Sequence, residues 1–204
     1  MCKLKSAIIL KDRIFIPDYD SHSEMLNELS IKDDYLGASK KFVRAELSPT
    51  DGDVFADIDS WKFVVDQDIT PEWFSADEYK PKMVEAVKEW AKHHIHIGVD
   101  GLKIDSGKNH YIKDCKNVEV CGSASISKVC GSASISEVCG SASISEVCDS
   151  AVIASSPYWY WYNSNKIILC ENATFKDNIG KVIYQSGDYK LISVESGKKI
   201  GELQ

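Results

Sequence analysis

The sequence predicts a three-part chain: an α+β N-terminal domain over 1–112, a short β-solenoid over 113–156 and an antiparallel β cap over 157–204. Three observations predict it. A nine-residue motif repeats through the middle of the chain, which marks stacked structural units. A long apolar stripe at helical spacing precedes the repeat, and short alternating runs bounded by turn residues flank both.

From the N-terminus, Ala7–Leu10 and Ile14–Ile16 read as a hairpin turning at Lys11-Asp12-Arg13 and stopped by Pro17. Ser21-His22-Ser23-Glu24 then caps a helix whose apolar residues are Met25, Leu26 and Leu29. Phe42–Leu47 and Trp61–Asp66 alternate like strands, with a loop at Pro49–Asp53 between them. The best helix is expected to start near Pro81, a residue suited to a first helical position, with Gly98 placed to end it or to follow a frayed last turn. Met83, Val84, Val87, Trp90, Ala91 and His94 form its buried stripe. Strand-like pieces follow at Leu102–Ile104 and Tyr111-Ile112.

The repeat reads VCGSASISK from Val120, VCGSASISE from Val129 and again from Val138, then a degenerate VCDSAVIA from Val147. Within a copy, Ala124 and Ile126 point one way and Ser125 and Ser127 the other. The step to Val129 breaks that alternation, so a corner falls there; Gly122 and Ser123 supply another. Nine residues are too few to enclose a core, whereas two copies close a coil of about eighteen residues. Val120 should then stack on Val138, and Ile126 on Ile144, at an inter-strand spacing of ~4.8 Å. A triangular left-handed β-helix also suits eighteen residues, but would place Ser132 where an aliphatic residue is wanted. The two-faced form is preferred. Beyond the repeat, Tyr158–Tyr162 and Ile167–Leu169 read as an aromatic hairpin. Val182–Tyr184 and Tyr189–Ile192, joined by Ser186-Gly187-Asp188, read as a second one.

Composition narrows function. The chain has a net charge of −7, which argues against general nucleic-acid binding or an anionic membrane surface. Arg13 and Arg44 are its only guanidinium groups. No apolar run reaches the ~18 residues of a membrane span, and the apolar start ends too early for a signal sequence, so a cytoplasmic location is expected. Seven cysteines, four of them in the repeat, suggest stacked structural side chains rather than disulfides.

Each chemical candidate has a plainer reading. Cys121, Cys130, Cys139 and Cys148 lack the paired spacing of a zinc site and should form ladders. His93, His94 and His96, near Asp100, suit a helix C-terminus better than a metal. Asp51-Gly52-Asp53 and Asp66-Gln67-Asp68 resemble calcium-loop fragments without the closing glutamate. Asp20-Ser21-His22-Ser23 holds the residue types of a hydrolase triad, yet a helix cap accounts for them. No cofactor or metal is expected. The aromatic run sets Trp159 and Trp161 on one face and Tyr158, Tyr160 and Tyr162 on the other, open to core packing, an oligomer interface or a ligand platform.

The segments Trp61–Asp68, Pro71–Trp73 and Met83–Trp90, followed by the nonapeptide array, resemble a family of uncharacterised proteins from gut bacteria and their phages and mobile elements. The family implies no activity, but its phage context suggests action against host defence. The leading expectation is therefore a non-catalytic, homo-oligomeric anti-defence protein sequestering a nucleotide-derived immune signal, of cyclic nucleotide or ADP-ribose type. Arg44, Trp159 and Trp161 are the expected ligand-binding residues. The alternative is a structural or protein-interaction solenoid with no small-molecule ligand.

Overall fold

A computed structural model of the chain describes residues 5–33, 41–154, 166–169, 173–176, 182–184, 190–193 and 199–202. It divides into two compact units, Met1–His93 and His94–Gln204. No helix among the described residues is long and apolar enough to cross a membrane.

The first unit carries an antiparallel sheet of β1 (Lys5–Leu10), β2 (Ile14–Phe15), β3 (Phe42–Ser48) and β4 (Lys62–Val65), in the order β2-β1-β3-β4. The expected hairpin is present, with Ile8 opposite Phe15 and Ile9 opposite Ile14. Alternation assigns the two faces. Ile8 and Phe42 pack with Met25 and Leu26 of helix α1 (His22–Glu28), so one face of the sheet lies under α1. Ala7, Ile9, Val43, Ala45 and Leu47 make up the other face and are fully buried. A short 3-10 turn at Ile58–Ser60, absent from the sequence reading, leads into β4.

Helix α2 runs Ala76–His94, so it starts before the expected Pro81. Pro81 lies inside it. The missing Pro81 N–H removes one backbone hydrogen bond from the exposed second turn, and the acidic first turn of Asp77 and Glu78 favours the earlier start. The helix also stops before Gly98, because Ile95–Ile97 forms strand β5.

The second unit is a β-solenoid. Strand β5 is followed by β6 (Lys103–Ile104), β7 (His110–Lys113), β8 (Val118–Val120), β9 (Ser125–Cys130), β10 (Ser134–Val138), β11 (Ser143–Val147), β12 (Val152–Ala154), β13 (Lys166–Leu169) and β14 (Thr174–Lys176). Odd and even strands go to different sheets, β13-β11-β9-β7-β5 and β14-β12-β10-β8-β6, all paired in parallel. The coil is therefore two-faced, as the alternation implied. Ile126 pairs with Ile144 and Val120 with Val138, each eighteen residues apart. Between them the sheets enclose Val118, Val120, Ala124, Ile126, Val129, Ala133, Ile135, Val138, Ala142, Ile144, Val147 and Ile153, all at most 1% exposed.

The parallel ladders reach beyond the repeat on both sides. Ile95 pairs with Tyr111 at a spacing of sixteen, Ile112 with Val129 at seventeen, and Val152 with Thr174 at twenty-two. The boundary expected at 112 thus falls inside the second unit, since Ile104 and Ile112 fill inward positions without belonging to a repeated motif. Three further strands close the ladders antiparallel: β15 (Val182–Tyr184) on β14, β16 (Lys190–Ser193) on β13, and β17 (Lys199–Glu202) on β16. An antiparallel C-terminal cap is present, but β15 and β16 join different sheets rather than forming one hairpin.

Corners depend on left-handed backbone. Gly122 has φ 59°, and a Cβ there would lie 2.1 Å from Asp105 O, so only glycine fits. Asp149 occupies the same motif position in the degenerate copy at φ 58°, as short polar side chains tolerate.

Candidate functional site

Arg44 sits on β3 with its guanidinium hydrogen-bonded and ion-paired to Asp33 and 5.1 Å from the Phe42 ring. A phosphate would have to compete with that carboxylate. Trp159 and Trp161, like the rest of the aromatic run, lie outside the described residues.

The cysteines stack in two ladders. Cys121 and Cys139 sit on one side of the coil, and Cys130 and Cys148 on the other. Burial pushes the Cys130 thiol up to about 11 and that of Cys148 to about 12. Cys121 is likewise raised to about 12, by burial first and then by its hydrogen bond with Cys139. These three are protonated at neutral pH, consistent with packing rather than nucleophilic chemistry. Sulfur atoms of Cys130 and Cys148 and a carboxylate oxygen of Asp149 do lie within 4.8 Å of one another. That carboxylate already accepts the Gly131 N–H at 2.6 Å.

The histidines separate. His93 is exposed, while the His94 ring lies nearly parallel to His110, with centroids 5.1 Å apart. His110 Nε2 lies 3.0 Å from Ser106 O and therefore carries the proton when the ring is neutral. His110 Nδ1 is 3.5 Å from His96 Nε2. Asp100 is held by the Asn117 amide at 2.9 Å. These contacts tie the first rungs of the solenoid together.

Asp20-Ser21-His22-Ser23 divides its labour without forming a triad. Ser21 is the N-cap of α1 and accepts the Glu24 N–H at 3.3 Å. Asp20 Oδ1 accepts from the fully buried Lys5 ammonium at 3.0 Å and from the Ser6 N–H at 3.1 Å. Lys5 also donates to Pro17 O at 2.7 Å and lies 4.8 Å from the Trp90 ring centroid, so its charge is met on several sides. Burial still lowers its pKa against the pull of Asp20.

His22 turns elsewhere. Its Nδ1 is 3.4 Å from Asp66 Oδ2, and its Nε2 is 3.3 Å from Ala45 O. Glu46 completes the group: one ligand-type atom from each of His22, Glu46 and Asp66 lies within 4.8 Å of the others. In the sequence His22 fits a helix cap and Asp66 a loop, and Glu46 falls within a strand without a motif to mark it. The available signal was its position in Phe42–Ser48, where alternation places a carboxylate on the same face as Phe42.

The outer faces of the solenoid are regular and polar. Ser125 lies beside Ser143, and Lys128 beside Glu146 with an ion pair of 3.0 Å. On the other sheet Lys103 pairs with Glu119 at 2.7 Å, and Glu137 is next in register. Asp51 and Asp53 serve a turn, where Asp53 Oδ1 accepts the Phe55 N–H at 3.0 Å. No family model, curated protein or solved structure matches the chain.

Proposed function

We propose that the protein is a non-catalytic structural or protein-interaction module, with the solenoid as a rigid scaffold presenting a flat, serine- and charge-bearing surface. The observation that carries this reading is the division of the coil. Inward positions hold aliphatic side chains and alanine, while the outward ladders repeat Ser125–Ser143 and Lys128–Glu146 in register. A surface of this kind suits a macromolecular partner, because polar groups at fixed spacing give register and orientation over an extended contact.

Sequestration of a nucleotide signal is the competing reading. It rests on Arg44, Trp159 and Trp161, and the Arg44 guanidinium is engaged by Asp33. Thermal unfolding of the full-length protein with cyclic nucleotides and ADP-ribose separates the two. No stabilisation is expected by any nucleotide. Replacing Ser127 and Ser145 with arginine should leave folding intact while abolishing association with whatever macromolecule co-purifies with the unaltered chain. Nucleotide stabilisation that disappears in Trp159→Ala would overturn the scaffold reading and restore the other.

A further inference from the structure

We propose that His22, Glu46 and Asp66 form a binding site for a divalent transition-metal ion in the first unit. The three residues come from separate elements: the first turn of α1, strand β3, and the residue that follows β4. Asp66 is anchored by its own N–H, which donates to Arg44 O at 2.9 Å.

The imidazole is set up as a ligand. A carbonyl only accepts, so the contact from His22 Nε2 to Ala45 O places the proton on Nε2, and in the neutral ring the Nδ1 lone pair then faces Asp66 Oδ2 at 3.4 Å. A metal ion, or a second proton on the ring, would join these two acceptors. Metal-bound histidines have this arrangement, one nitrogen donating to a carbonyl while the other binds.

Glu46 supplies an independent observation. It is 8% exposed, and alternation along β3 sets it on the same face as Phe42. A largely buried carboxylate gains from a cation placed beside it. The neighbouring cations are committed elsewhere, Lys5 to Asp20 and Arg44 to Asp33. Directly across the sheet from Glu46 stands Ser6, whose buried hydroxyl lacks a hydrogen-bond partner. A metal ion with a bound water would satisfy the lone pair, the carboxylates and that hydroxyl together.

The donor set selects the ion class. One imidazole and two carboxylates suit Zn²⁺, Mn²⁺ or Co²⁺, whereas Ca²⁺ and Mg²⁺ favour all-oxygen shells. Three protein ligands leave a position open, and Asp66, with 58% of its side chain exposed, puts that position within reach of solvent.

The test uses the full-length protein stripped with a chelator and titrated with Co²⁺ or Zn²⁺ alone. One equivalent of Co²⁺ should give visible d–d absorption without a thiolate charge-transfer band, and Zn²⁺ should raise the Tm. Glu46→Gln and Asp66→Asn should each weaken binding at least about tenfold. Cys130→Ser and Cys148→Ser should leave it unchanged. Asp66 is exposed, so Asp66→Asn decides the matter should Glu46→Gln fail to fold. Absence of any band or Tm shift would overturn the proposal. Binding that survives Asp66→Asn, or is lost with the cysteines, would overturn it equally.

Discussion

The Gly131 N–H donates to Asp149 Oδ2 at 2.6 Å, tying one corner of the solenoid to the equivalent corner on the stacked rung. Asp149 breaks the glycine of the motif, and this bond is what it gains. Asp149→Ala removes the acceptor and keeps a strained φ, so it should cost about 1–2 kcal/mol in urea unfolding. Asp149→Gly relieves the backbone but not the lost bond and should fall between the two. Equal stability of the three proteins would mean that the bond contributes nothing.

Glycine substitutions should sort by what surrounds them. Gly52 has φ 76° and open space around a would-be Cβ, so Gly52→Ala should cost only the backbone term of about 1–2 kcal/mol. Gly122→Ala drives a methyl into the Asp105 carbonyl and should cost several kcal/mol beyond that, because backbone cannot rotate away. Comparing thermal midpoints of the two variants checks this.

Thiol reactivity should follow burial. Cys130 and Cys148 are at most 7% exposed and have raised pKa values, so alkylation at pH 8 should label them only after unfolding. Peptide mapping after brief iodoacetamide treatment, with and without urea, reads this directly.

Asp114 gives the solenoid a dependence on acid. Its carboxylate accepts from the Ser132 N–H at 2.7 Å and from the Ser132 hydroxyl at 3.1 Å, and the backbone bond is the main cause holding its pKa below the usual value. A depressed folded pKa stabilises above the unfolded value, near 4, and that stability is lost as pH falls through the folded pKa. Asp114→Asn should therefore be less stable than the unaltered protein at pH 7, and the two melting curves should converge as pH falls below the usual carboxylate range.

The two-faced coil was legible because the motif alternates inside and outside and then slips by one residue, which only a corner can accommodate. Rungs outside the repeat were not legible. Lys103-Ile104 and His110–Lys113 hold inward positions through single residues, and no copy of their sequence betrays the stacking. Pro81 misled because it suits a first turn, and sequence alone does not show that an exposed second turn tolerates it. Of the metal-type cluster, each residue had a sufficient local explanation; the cross-strand register that sets Glu46 against Ser6 exists only in the folded sheet.

The alternation of successive strands between two sheets imposes a parity rule on the gene. Adding or deleting two nonapeptides inserts or removes one whole turn and returns every downstream strand to its own sheet. A change of one copy sends β12, β13 and β14 to the opposite sheet and exchanges the places of the closing strands. Near-identical tandem copies invite replication slippage, so viable length variants of this chain should differ by even numbers of repeats.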